Sequence, residues 1–128
     1  MLHQIDLQTS FRNQIIDITN QIEELIPKGF SWICVVYTPH TTCGIAINEG
    51  YDPDVWRDLL YWLSKLVPAS EEFRHLEWNS DAHIKSSLIW VNQTIIVEDW
   101  KLVLWRWQKI LLCEFDGPRR RKVYVKFI

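Results

Sequence analysis

The last third of the chain constrains the fold most. Runs rich in aliphatic and aromatic residues at 93–97, 101–107, 110–115 and 123–128 follow one another across connections too short for a crossover helix. Strands joined this closely pair antiparallel, as hairpins. A chain of 128 residues is one domain's length, long enough to bury a core. The expected architecture is therefore α+β: a single domain over 1–128, with a mainly antiparallel β-sheet and helices packed on one side.

Upstream, residues 2–8 alternate polar and apolar as a half-buried strand does. Thr9 or Ser10 can cap a helix whose inward face is Phe11, Ile15, Ile18, Ile22 and Leu25, stopped by Pro27 and Gly29. Residues 32–37 read as a buried strand, Pro39-His40-Thr41-Thr42 interrupts it, and Cys43, Ile45 and Ile47 alternate along a second strand. Asp52-Pro53 is a helix start, an acidic cap followed by proline in the first turn. That helix would turn Val55, Leu59, Leu60, Leu63 and Leu66 inward and stop before Pro68. A polar, irregular stretch over 69–80, with acidic Glu71-Glu72, leads to a short helix at 82–88 capped by Asn79 or Ser80.

Charge and composition exclude several classes of function. A net charge of −2 gives no global attraction to nucleic acid or to an anionic membrane. No apolar run approaches the roughly 20 residues of a bilayer span, and the N-terminus lacks the pattern of a signal peptide. Cys34, Cys43 and Cys113 are odd in number and widely spaced, which predicts free thiols in a reducing, cytoplasmic compartment.

The polar residues that could do chemistry are few. His40, beside a proline that carries no N–H, sits where a strand ends and side chains face a cleft. Taken alone, a lone histidine satisfied by backbone is the commoner arrangement. His75 and His83 flank Glu77, Asn79 and Asp81. Imidazoles and carboxylates are zinc ligands, although this spacing matches no compact metal signature and equally suits a solvated loop. Glu49 ends a strand and suits a base, a ligand or a surface charge. Lys85 follows His83 on the short helix, where a solvated face is the simpler expectation. Arg119-Arg120-Arg121-Lys122, after the turn Asp116-Gly117-Pro118, could clamp phosphate or protect a sheet edge. Cys43 lies three residues beyond His40; the cysteines otherwise read as small buried hydrophobes.

In sequence order, His40-Thr41-Thr42, Ile47-Asn48-Glu49, Asp52-Pro53-Asp54-Val55, Asn79-Ser80, Ala82-His83-Ile84-Lys85-Ser86-Ser87, Trp107-Gln108 and Cys113-Glu114-Phe115-Asp116-Gly117-Pro118-Arg119 resemble the YjbQ-like family of secondary thiamine-phosphate synthases. The resemblance implies a homotrimer whose pocket draws on His40, His75 and His83 around a divalent metal, zinc or magnesium. It implies that His40, Glu49 and His83 are catalytic, and that Thr41, Asn48, Asn79, Lys85 and Arg119 bind a small phosphorylated metabolite. The implied reaction joins a pyrimidine diphosphate to a thiazole phosphate. Neither nucleic acid nor membrane is an expected partner. The same residues would also serve a metal-dependent hydrolase of another phosphorylated metabolite, or a trimeric metal- or ligand-binding protein without turnover.

The chain departs from the family in one respect. It has 8 tryptophans and 4 glycines, and Trp32, Trp78, Trp90, Trp100 and Trp105 stand where the resemblance predicts glycine. Asp99-Trp100 occupies a two-residue hairpin turn, where Asp-Gly is preferred because the turn needs φ > 0. Trp78 would fill space that glycine leaves open. Two explanations stand: turns and pocket rebuilt around aromatics, or UGA codons that mean glycine in the source organism translated as tryptophan. The second would leave 3 tryptophans and 9 glycines, about the usual 7% glycine share.

Overall fold

Ile110, Leu111, Leu112 and Cys113 are apolar at every successive position, and the computed structural model explains why. They lie in β7 (Gln108–Glu114), the middle strand of a sheet covered on both faces. The structure describes residues 1–70 and 72–128; Glu71, half of the acidic pair, lies outside them. Among the described residues, β7 is flanked by β2 (Gln14–Asp17) and β4 (Cys43–Glu49). A second, five-stranded sheet has the order β1 (Leu2–Gln8), β8 (Arg120–Phe127), β3 (Trp32–Tyr37), β5 (Asn92–Glu98), β6 (Lys101–Leu102). Every pairing is antiparallel.

Strand alternation builds three layers. Ile110 and Leu112 point between the sheets, meeting Val36, Cys34, Ile45, Ile95, Val97, Val123 and Val125 in the main core. Leu111 and Cys113 face the other way, where Ile15, Phe115 and Ala82 form a second cluster beneath the helices. Trp56, Leu59, Leu60 and Leu63 of α2 (Pro53–Leu66) close over that cluster. Leu66, expected to point inward, is exposed at the end of the helix. α3 (Ser80–Ile89) lies against β4, close enough that a Cβ on Gly44 would sit 2.8 Å from the Trp90 carbonyl oxygen. The two longer helices, α2 and α3, thus pack on one side of a mainly antiparallel fold, as expected. Among the described residues, no helix is long and apolar enough to cross a membrane.

Three local expectations are corrected. Residues 9–29 do not form one helix: β2 runs into the short α1 (Thr19–Glu23). β-branched Ile15 and Ile16 gain a ladder with Cys113 and Leu112. The helical spacing of Ile15, Ile18 and Ile22 persists because the first faces the helices and the others the main core. The expected strand at 101–107 shrinks to Lys101–Leu102, since a turn closed by the Gln108 N–H to the Trp105 carbonyl diverts the chain. Finally, β7 and β8 are not a hairpin, because the turn through Asp116-Gly117-Pro118 carries the chain from one sheet to the other.

Candidate functional site

Two of the cross-overs between the sheets meet at one place. Residues 38–42 pass from β3 to β4, and residues 115–119 pass from β7 to β8. Thr38 is buried, its Oγ1 donating to the Lys122 carbonyl at 3.0 Å. The N–H of the same residue, Lys122, donates to His40 Nε2 at 2.9 Å. A neutral imidazole has one lone pair, so this bond places the ring proton on Nδ1. Burial first, and then the positive charge of Arg121, pushes His40 below its ordinary pKa and keeps it neutral near pH 7.

Beneath His40 lies a buried ion pair. Arg121 Nη2 and Nε donate to the two oxygens of Glu114, Thr9 Oγ1 adds a bond to Glu114 Oε2 at 2.8 Å, and Arg121 Nη2 reaches Thr42 Oγ1 at 2.7 Å. Burial alone would raise the Glu114 carboxyl; Arg121 and the backbone N–H of Asp116 outweigh it and hold it low. The turn above this pair depends on glycine, because a Cβ on Gly117 would collide with the Phe11 carbonyl oxygen.

A cleft of about 310 Å³ opens over this floor, lined by His40, Thr41, Asn79, His83 and Arg119 and by the acids Glu77 and Asp116. Arg119 is pinned by Asp116, its Nε donating to the Asp116 carbonyl at 2.8 Å and Nη2 to Oδ2 at 2.9 Å. Asn79, the N-cap of α3, donates from Nδ2 to Asp116 Oδ2 at 2.6 Å. Its Oδ1 is buried with no partner, an acceptor that a bound N–H or O–H would satisfy. A helix N-terminus, a half-exposed guanidinium and imidazole N–H groups together suit an anion.

The three histidines are not one ligand set within this chain. His75 packs edge-on to His83, ring centroids 5.3 Å apart, with its Nε2 3.8 Å from Glu77 Oε2. The lone pair of His40 is already taken by the Lys122 N–H, leaving it none for a metal in this arrangement. Among the described residues, no group of three or more His, Cys, Asp or Glu side chains is placed to hold a metal ion.

Comparison with known proteins decides the family. A model of the family described as UPF0047 protein YjbQ-like matches residues 3–128. The chain belongs to the UPF0047, YjbQ-like family. It is 51% identical to UPF0047 protein MJ1081 of Methanocaldococcus jannaschii, across 100% of this chain and 94% of that protein. It is 43% identical to UPF0047 protein YugU of Bacillus subtilis, across 100% and 99%. The crystal structure of a YjbQ/UPF0047-family protein from Clostridium acetobutylicum superposes with a TM-score of 0.94 at 48% identity, covering 98% of this chain and 99% of that one.

In this family member the cleft gathers five of the residues singled out from sequence: His40, Thr41, Asn79, His83 and Arg119. Three others lie elsewhere. Lys85 is buried, its Nζ 3.4 Å from both Asp81 Oδ2 and Ser64 Oγ. It turns inward because α3 presents Asp81 and Lys85, four residues apart, on its covered face. Glu49 and Asn48 brace the start of α2: Glu49 Oε1 accepts the Tyr51 and Asp52 N–H groups at 2.9 and 3.1 Å, and Asn48 Oδ1 accepts the Glu49 N–H at 2.7 Å. Trp78, expected to fill the pocket, is exposed and not on the cleft wall. Cys43 is buried and its thiol is pushed up chiefly by burial; Cys34 and Cys113 are pushed to about 12. All three are free and packed as hydrophobes. Glu77, a candidate ligand in the sequence, and Arg121 of the basic run also line the cleft, whereas Thr42, Asp116 and Glu114 were not assigned to the site from sequence.

Proposed function

We propose that this chain is an enzyme acting on a small phosphorylated metabolite bound between His40, His83 and Arg119 at the N-terminus of α3. The observation that carries the reading is the convergence, in one cleft, of a neutral His40 with Nδ1–H, the cation Arg119, and the buried, unpartnered Oδ1 of Asn79. The first two suit phosphate oxygens, and the third suits an N–H on an attached heterocycle.

The specific reaction we propose is the one the family resemblance implies. The carbon–oxygen bond between a pyrimidine methylene and its diphosphate breaks, with the electron pair leaving on pyrophosphate. The thiazole-phosphate nitrogen supplies the pair for the new carbon–nitrogen bond, giving thiamine phosphate. Arg119, the His83 ring and the α3 N-terminus hold the departing charge; Asn79 orients the ring that keeps the carbon. A magnesium ion carried in by the diphosphate would need only one or two carboxylates, which Glu77 and Asp116 of the cleft lining would provide, whereas a three-histidine zinc site does not fit a His40 whose lone pair is already taken. A homotrimer in a cytoplasmic setting completes the proposal. The self-association is supported by the open apolar groove that Val55, Leu59, Trp62, Leu63 and Leu66 form along α2.

Complementation of a thiamine auxotroph, paired with an in vitro assay for thiamine phosphate, tests the reaction. Growth that is abolished by His83→Ala supports it. No growth, together with release of phosphate from other phosphorylated metabolites, would assign the cleft to hydrolysis instead.

A further inference from the structure

Left-handed backbone is where side chains are least tolerated, and this chain fills it with its bulkiest residue. Outside glycine, positive φ occurs among the described residues at Trp32 (151°), Trp78 (61°), Trp90 (82°), Asp99 (48°) and Trp100 (64°). Bulky residues are genuine outliers there, because Cβ crowds the backbone carbonyl. Trp90 ends α3 with φ 82° and ψ 159°, a combination that is essentially glycine-only. Asp99 and Trp100 join Glu98 to Lys101 with φ positive at both. That is the type I′ hairpin turn, for which Asp-Gly is a favoured pair.

Burial does not compensate. Trp32, Trp78, Trp90 and Trp100 are 74%, 63%, 56% and 50% exposed. Of these four indoles only that of Trp100 makes a hydrogen bond among the described residues, donating from Nε1 to the backbone carbonyl of Ile26 at 3.1 Å. The other tryptophans sit on ordinary backbone, and one of them, Trp56, is packed on the helix-side cluster and donates to the Glu49 carbonyl at 2.7 Å. Tryptophan therefore divides into one set that the fold tolerates and one set placed where the fold asks for glycine.

We propose that residues 32, 78, 90 and 100 are glycine in the working protein, each encoded by a UGA codon that the source organism reads as glycine. Trp105 does not belong to this set, since its backbone is not left-handed. The consequence reaches the site. Trp90 walls a cleft of about 410 Å³ that it shares with His40, Thr41 and His83, so glycine at 90 opens the approach to both histidines from the end of α3. The inference rests on backbone geometry and is independent of the reaction proposed above.

Peptide mass spectrometry of the protein purified from its own cells is the decisive measurement. Peptides covering 32, 78, 90 and 100 should each be lighter by one indolylmethyl side chain, with Trp56 and Trp62 unchanged; tryptophan at the four positions overturns the proposal. A second readout needs only the chain as written. Trp78→Gly, Trp90→Gly and Trp100→Gly should each raise Tm by roughly 3–6 °C, the shift expected from about 1 kcal/mol of relieved strain. Trp56→Gly should lower it. A fall in Tm for all three of the first set would also overturn the proposal.

Discussion

His40 accepts the backbone N–H of Lys122 on its Nε2 at 2.9 Å, tying the β3–β4 cross-over to the strand that follows the β7–β8 cross-over. Protonating this ring would replace an acceptor with a donor facing a donor. The folded pKa is lowered, by burial and then by Arg121, so the folded state binds fewer protons than the unfolded chain. Stability is then complete above the unfolded value of about 6.5 and declines as pH falls through it toward the folded pKa. Urea unfolding at pH 7.5 and pH 5 should show a lower midpoint at pH 5. In His40→Gln, whose side-chain oxygen accepts without titrating, that difference should shrink.

The floor of the cleft makes a harsher demand. Glu114 and Arg121 are 0% and 3% exposed, and among the described residues each is the other's only opposite charge in direct contact. Arg121→Met should cost about 3–5 kcal/mol, because it strands a buried carboxylate. The double change Glu114→Gln with Arg121→Met should cost less than Arg121→Met alone, since no uncompensated charge is left. Chemical denaturation of the two variants checks this order. Because Arg121 also holds Thr42 Oγ1, the single variant should bind inorganic pyrophosphate more weakly even at temperatures where it stays folded.

That floor shows what the sequence made legible and what it did not. The helix starting at Asp52-Pro53, the strand at 32–37 and the helix after Asn79 rest on local signals, and each appears within a residue or two of its expected bounds. β2 was hidden because Ile15, Ile18 and Ile22 keep helical spacing while serving two cores. Topology was hidden because a short turn can change sheets as readily as it can close a hairpin. Arg121 was lost in a run of four cations, although strand parity would have found it: it shares the inward face with Val123 and Val125. Lys85 and Glu49 look functional in a linear motif, yet hydrogen-bonding demand from nearby helix groups claims both.

Lys85 offers a direct check on that correction. Its Nζ lies 3.4 Å from Asp81 Oδ2, while Asp81 is also held by two nitrogens of Arg12 at 3.0 and 3.1 Å. Lys85→Met should destabilise the protein by about 1–3 kcal/mol, less than a stranded buried charge costs, because Arg12 still faces Asp81. Pyrophosphate binding by calorimetry should be unchanged in the folded variant. A large loss of affinity without a loss of stability would return Lys85 to the cleft.

The histidines separate a shared metal set from a divided one. Three convergent ligands would make His40, His75 and His83 equivalent, so removing any of them would abolish tight zinc binding. Here His75 and His83 are paired at 5.3 Å while His40 has its lone pair on the Lys122 N–H. Zinc titration followed by calorimetry should therefore show weak binding that His75→Ala or His83→Ala removes and His40→Gln leaves in place. Turnover should divide differently. His83→Ala, which strips a cleft wall, should lower activity by roughly 10²-fold or more, with circular dichroism unchanged. His75→Ala, which removes only the ring behind it, should cost much less.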